Sequence, residues 1–208
     1  IMNIAIDVDD CLSNTAEVDF ETCWEYYKKL KKDTSKNFVN DYHNAPTIFG
    51  LTQEQGDTFY KEQRKLCIKD DLIKPKVFAN KIIDKLITNG HNIIIISHRG
   101  DEFWGDAMKE TKKWLTKYDI HYMKCITNCE NKGLHCLQNH IDVLIDDNLK
   151  NIKQCNDLGV KTITFNNNYN EKYYPNELKN YKNNLNIYAS CWTEVYEKIG
   201  EIIKEKEM

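Results

Sequence analysis

Residues 2–12 read Met2-Asn3-Ile4-Ala5-Ile6-Asp7-Val8-Asp9-Asp10-Cys11-Leu12. The first five are an aliphatic run of strand length that halts at a carboxylate, and two further carboxylates follow within three residues. A buried strand ending in clustered acids predicts an open α/β sheet, because such sheets place their ligands beyond the carboxyl ends of strands.

Four more runs of the same kind follow, at residues 92–97, 122–126, 142–145 and 161–165. Helical patterns separate them. Residues 77–88 carry Val77, Phe78, Ile82, Ile83, Leu86 and Ile87 at helical spacing and stop at Asn89-Gly90. Residues 103–118 place Trp104, Met108 and Leu115 on one side, residues 148–158 stop at Gly159, and residues 192–205 align Trp192, Val195, Ile199 and Ile202. Strand alternating with helix predicts a doubly wound, mainly parallel, five-stranded Rossmann-like sheet.

One interval breaks the alternation. About seventy residues separate the first strand from the helix at Val77, too many for a simple crossover. They read as helical: residues 15–32 can form one helix, and Thr52-Gln53-Glu54-Gln55 has the form of a capping box opening another. The expected division is therefore 1–13 with 75–208 as the α/β core and 14–74 as an inserted helical cap, with Pro75 as the return hinge. Residues 166–186, rich in Asn and Tyr, read as an irregular surface excursion.

Bulk properties narrow the classes. A net charge of −3 gives the chain no pull toward a nucleic acid polymer or an anionic membrane. The longest apolar run, residues 93–96, falls far short of the ~18 residues a membrane span needs. Residues 1–6 run into charge at Asp7 without the basic start and long apolar stretch of a signal peptide, so the expected compartment is the cytoplasm. Eight cysteines are then expected as thiols rather than disulfides. Cys125, Cys129 and Cys136 lie near His135 and His140, but the spacing lacks the C-x-x-C of a zinc site, and packing as small hydrophobes is the better reading.

Four elements carry chemistry, each at or just beyond a strand end. They are Asp7-Val8-Asp9, Ser97-His98-Arg99-Gly100, Lys132 opening a helix, and Asp146-Asp147. Carboxylates crowded at about 4 Å repel by roughly 4 kcal/mol per pair at an effective dielectric near ~20, so a fold tolerates them when a divalent cation sits among them. Hard oxygen ligands that leave room for water and a phosphate oxygen suit Mg2+. A carboxylate can attack phosphorus, and a second carboxylate nearby can move the proton. Ser97 can hydrogen-bond a phosphate oxygen, and the Lys132 ammonium can neutralise developing negative charge.

Taken together and in this order, the four elements resemble the four motifs of the haloacid dehalogenase (HAD) hydrolases, and the resemblance covers nearly the whole chain, helical insert included. It implies that Asp7 is the nucleophile and Asp9 the general acid/base. Asp7 and Asp147 would hold magnesium through side chains, Asp9 through its main-chain carbonyl, and Asp146 from the first or second shell. Ser97, His98 and Lys132 are the candidate phosphate-binding residues. Cys11 departs from the Thr or Val found in many members. Arg99-Gly100, Trp104-Gly105-Asp106 and the closing Cys191-Trp192-Thr193-Glu194-Val195-Tyr196 are similar to the 5'(3')-deoxyribonucleotidase-type proteins. That implies a magnesium-dependent phosphomonoesterase with a small-molecule partner, a (deoxy)nucleoside monophosphate. The rivals are a phosphatase for another small phosphometabolite, a phosphotransferase, and a phosphate-binding regulatory protein without turnover. A homodimer is left open.

Overall fold

The computed structural model describes residues 1–30, 45–167, 178 and 185–207. Six parallel strands form one sheet: β1 (Asn3–Ile6), β2 (Asn92–Ile96), β3 (Lys124–Ile126), β4 (Val143–Asp146), β5 (Lys161–Phe165) and β6 (Asn186–Ala189), in the order β3-β2-β1-β4-β5-β6. The order reverses at β1, between β2 and β4, which is where a doubly wound sheet opens a ligand crevice.

Alternation along the strands sorts side chains to two faces. Ile4, Ile6, Ile93, Ile95, Val143 and Ile145 share one buried cluster with Ile83, Leu86, Leu115, Trp192 and Ile199. Ala5, Ile94, Ile96 and Leu144 share the other, with Cys129, Cys136 and Cys155. The helices follow from that pattern: α4 (Ala79–Thr88), α6 (Ala107–Lys117) and α9 (Trp192–Glu207) serve the first cluster, and α7 (Lys132–Gln138) and α8 (Leu149–Asp157) serve the second. Cys129 and Cys136 are thus packed as small hydrophobes on the sheet.

The expectation of five strands is corrected to six. β6 lies at the end of the stretch read as irregular. It is an edge strand of four residues, three of them only partly buried, so it gives almost no apolar signal. Side chains from β5 hold it, with Thr162 and Thr164 hydroxyls both donating to Asn186 Oδ1 at 2.8 Å. Residues 168–177 and 179–184 of that stretch lie outside the described residues.

The single helix expected over 103–118 is two, α5 (Asp101–Trp104) and α6. Gly105 takes a left-handed φ of 76°, and Asp106 then caps α6 by accepting from the Lys109 amide at 2.9 Å.

Between β1 and α4 lie α1 (Thr15–Leu30), α2 (Ala45–Ile48) and α3 (Gln53–Asp70). Thr52 and Gln55 form the capping box at the start of α3. These helices bury their own cluster of Cys23, Tyr27, Ala45, Phe49 and Phe59, apart from the sheet. The outgoing and returning segments are tied where they meet the sheet: the Asn14 amide donates to Lys74 O at 3.0 Å, and the Lys76 amide to Leu12 O at 2.7 Å. Residues 31–44 lie outside the described residues. Among the described residues no helix is long and apolar enough to cross a membrane.

Candidate active site

Asp7 follows β1, Ser97 follows β2, and Asp146 and Asp147 close and follow β4, so three adjacent strands deliver four side chains to one rim of the sheet. Lys132 arrives from the first turn of α7, where Asn131 caps the helix by accepting from the Leu134 amide at 3.0 Å. The Lys132 ammonium, 1% exposed, lies 2.6 Å from Asp7 Oδ1 and 2.7 Å from Asp146 Oδ2. Burial alone would depress its pKa; Asp146 and Asp7 outweigh that and lift it well above the usual lysine value. The site therefore contains a fixed cation at every ordinary pH.

Asp146 is fully enclosed. Besides Lys132, its carboxylate accepts from the Asn148 amide at 2.9 Å and from Asn151 Nδ2 at 3.0 Å. Asp147 stands differently: one of its oxygens, one of Asp7 and the Cys11 sulfur all lie within 4.8 Å of one another. The Cys11 thiol donates to Asp147 Oδ1 at 3.6 Å. Burial, joined by Asp146, Asp147 and Asp9 against the opposing charge of Lys132, pushes the Asp7 carboxyl well above its usual range. That is the electrostatic state a bound cation relieves, and the buried pair of carboxylates fits a divalent ion.

Asp9 is held on the other side. Arg99 grips it with two hydrogen bonds, Nε to Oδ2 at 2.9 Å and Nη2 to Oδ1 at 2.7 Å, and the Thr15 hydroxyl donates to Oδ1 at 2.6 Å. Burial would raise its pKa, but the Arg99 charge and hydrogen bonds, with Arg64 and Thr15, bring it to about 2. Arg99 is itself buried and lies over the Trp104 ring at 4.0 Å, with Arg64 at 5.0 Å from the same ring. In the sequence Arg99 is a subfamily cue and, with His98, a residue that bears on substrate; its grip on Asp9 is visible only in the structure. Its position two residues past Ser97 was the available signal, since a buried guanidinium needs a carboxylate partner.

Ser97 is buried, and its Oγ accepts from the Arg99 amide at 3.2 Å. His98 is exposed and turned toward the loop before α7, its Nδ1 donating to the Cys129 carbonyl at 2.9 Å; a carbonyl only accepts, so Nδ1 carries the proton. Asp10 has φ 64° and accepts from the Ala16 amide at 2.7 Å, which makes it the turn residue that starts α1.

Lys132 depends on how closely α7 and α8 approach. A Cβ at Gly133 would sit 2.5 Å from the main-chain oxygen of Gln154. Gly133→Ala is expected to force the helices apart and cost about 1–3 kcal/mol of stability, as overpacking does. Activity should fall further than that loss explains, because Lys132 moves with α7. Urea unfolding and turnover, measured side by side, check both.

The chain matches the family described as 5' nucleotidase, deoxy (Pyrimidine), cytosolic type C over residues 1–205. A curated protein of Chlorobaculum tepidum, whose name carries the words 5'(3')-deoxyribonucleotidase, is 26% identical over 194 residues, covering 87% of each chain. Among solved structures, a haloacid dehalogenase-like hydrolase of Streptococcus pneumoniae superposes with TM-score 0.66 at 11% identity, covering 96% of this chain and 98% of its own. A HAD hydrolase of family IA from Entamoeba histolytica gives 0.63 at 14% identity, covering 98% and 100%. The chain belongs to the cytosolic type C 5'-nucleotidase family, a phosphomonoester hydrolase of the HAD type.

Proposed function

We propose that this protein is a magnesium-dependent 5'-nucleotidase that hydrolyses (deoxy)nucleoside monophosphates through an aspartyl-phosphate on Asp7. The observation that carries the reading is the convergence on Asp7: the Lys132 ammonium at 2.6 Å on one side, and Asp147 and Cys11 within 4.8 Å on the other. A magnesium ion held by the Asp7 and Asp147 side chains and the Asp9 carbonyl would supply charge that offsets both the carboxylates and the phosphoryl oxygens.

On this reading Asp7 attacks phosphorus as the bond to the leaving oxygen breaks, and Asp9 delivers a proton to that oxygen. Water then attacks the acyl phosphate, Asp9 takes the proton, and inorganic phosphate leaves. Ser97 and Lys132 hold phosphoryl oxygens throughout. Asp9 paired with Arg99 is ionised, the form that accepts a proton in the second step; to act as the acid in the first it must come away from Arg99 and take up a proton from solvent. Asp146 serves as the anchor that aims Lys132. His98 braces the loop after β2 against the loop before α7.

The nucleotide assignment rests on the family and on a cavity of about 930 Å³ between α1–α2 and the ends of β5 and β6. Phe20, Lys76, Phe165 and Asn166 line it beside Asp10, and it suits a nucleoside in size. We read residues 14–74 as the cap that closes over it. Of the aromatics in that segment, Tyr27, Phe49 and Phe59 are buried in its own core, whereas Phe20 is 40% exposed and lines the cavity. A stacked base contributes ~1–3 kcal/mol, about ten- to hundredfold in affinity. The test is kcat/KM for deoxynucleoside and ribonucleoside monophosphates, sugar phosphates and p-nitrophenyl phosphate. Nucleotides should lead by at least about tenfold; equal efficiency on sugar phosphates would leave the phosphatase and remove the nucleotidase.

Metal dependence has its own measurement. Chelation should abolish phosphatase activity and magnesium restore it. At a hundredfold excess over its dissociation constant, magnesium should add roughly 2.7 kcal/mol of stability, visible as a raised thermal midpoint. Asp147→Asn should lose most of that rise.

A further inference from the structure

Cys11 stands in the Asp7–Cys11–Asp147 group, yet the reaction proposed above gives it no task. We propose that Cys11 makes the cation site a mixed oxygen–sulfur site, able to take a thiophilic divalent ion such as Cd2+, Zn2+ or Co2+ with the sulfur as a direct ligand. This rests on the reading of Asp7 and Asp147 as the cation ligands.

The geometry is already close to what such an ion needs. Metal–oxygen bonds of about 2.0–2.2 Å and metal–sulfur bonds of about 2.3 Å put neighbouring donors around one tetrahedral ion roughly 3.5 Å apart. The three donor atoms here lie within 4.8 Å of one another, and the sulfur is 3.6 Å from Asp147 Oδ1. The backbone that carries Cys11 is fixed on both sides. The Leu12 and Ser13 amides both donate to Val8 O at 3.0 Å, and the Trp192 indole donates to Cys11 O at 3.0 Å. All three residues are buried, so the sulfur has no surface position to retreat to. Ligation breaks the S–H bond and forms a metal–sulfur bond, and the proton passes to solvent.

The consequence is selectivity. Oxygen donors suit magnesium, and a thiolate favours softer ions. A soft ion drawn to the Cys11 sulfur takes the place of magnesium between Asp7 and Asp147, so Cd2+ and Zn2+ act as inhibitors competing with magnesium. A Thr or Val at position 11 would lack this behaviour.

The experiment is titration of the full chain with Cd2+, followed by thiolate-to-metal charge-transfer absorption in the near ultraviolet and by calorimetry. The wild type should show a band that saturates with one ion at this site and is suppressed by excess magnesium. Cys11→Ser and Cys11→Ala should each lose the band, and the ratio of Cd2+ to Mg2+ affinity should fall at least about tenfold. Cys191→Ser, at the exposed cysteine, should keep the band. No band in the wild type, a band that survives both Cys11 substitutions, or one indifferent to magnesium overturns the proposal. If magnesium still raises the thermal midpoint while cadmium gives no band, the Cys11 inference alone fails. If neither ion binds, the cation reading of Asp7 and Asp147 fails with it.

Discussion

Asp7→Asn is expected to abolish turnover while the protein stays folded. An amide is a poor nucleophile, and loss of a covalent nucleophile costs roughly 10⁴-fold or more in kcat. The fold should survive because the substitution removes one of several buried like charges, and Lys132 keeps Asp146 at 2.7 Å as its partner. Circular dichroism and urea unfolding should therefore stay near wild type while steady-state activity disappears. The magnesium-induced rise in thermal midpoint should shrink with it, since an amide oxygen is a poorer ligand than a carboxylate. Asp9→Asn offers the contrast: it leaves the nucleophile and removes proton transfer, which contributes roughly 10²–10⁴-fold. Trapping with a fluoride complex of beryllium should place the phosphoryl mimic on Asp7. Retained turnover in Asp7→Asn, or a mimic found elsewhere, would sink the mechanism.

Lys132→Met should damage both stability and activity, and the two losses can be separated. The ammonium bridges two carboxylates that are themselves buried, Asp7 and Asp146. Removing it leaves both without their counter-charge. Breaking a buried pair this way costs about 3–5 kcal/mol. Activity should be lost as well, since nothing else in the described residues brings a side-chain cation to Asp7 at hydrogen-bonding distance. The double variant Lys132→Met, Asp146→Asn removes one of the stranded charges, so it should recover a large part of the stability. It should recover none of the activity. If the double variant regained turnover, the lysine would be a structural counter-ion only. If Lys132→Met alone unfolded no more easily than wild type, the buried-pair account of the site would fall.

The single sequence was enough to read five of the six strands and their doubly wound, mainly parallel class, because a buried strand is a local event. Runs such as Asn92–Ile96 announce themselves by β-branched content, and their stops by the polar residues that follow. The capping box at Thr52 and Gln55 is local in the same sense, since its two partners are three residues apart. So is the gathering of Asp7, Ser97, Lys132 and Asp147 at one rim: once the strands are parallel, whatever follows each of them shares an edge. The weak edge strand β6 and the break at Gly105 escaped because each is set by a few residues without an apolar period.

Tertiary structure decided which side chain answers which. Asp146 and Asp147 are neighbours in sequence and both acidic, yet one is enclosed by Lys132, Asn148 and Asn151 while the other faces Asp7 and Cys11. Strand alternation sends consecutive residues to opposite sides, and no composition rule says which side holds the lysine. Arg99 meets Asp9 across 90 positions, and the Cys11 thiol meets Asp147 across 136. Periodicity and propensity act over a few residues and are written into the chain, whereas the partner of a buried charge is chosen by burial, which penalises every arrangement that leaves it alone.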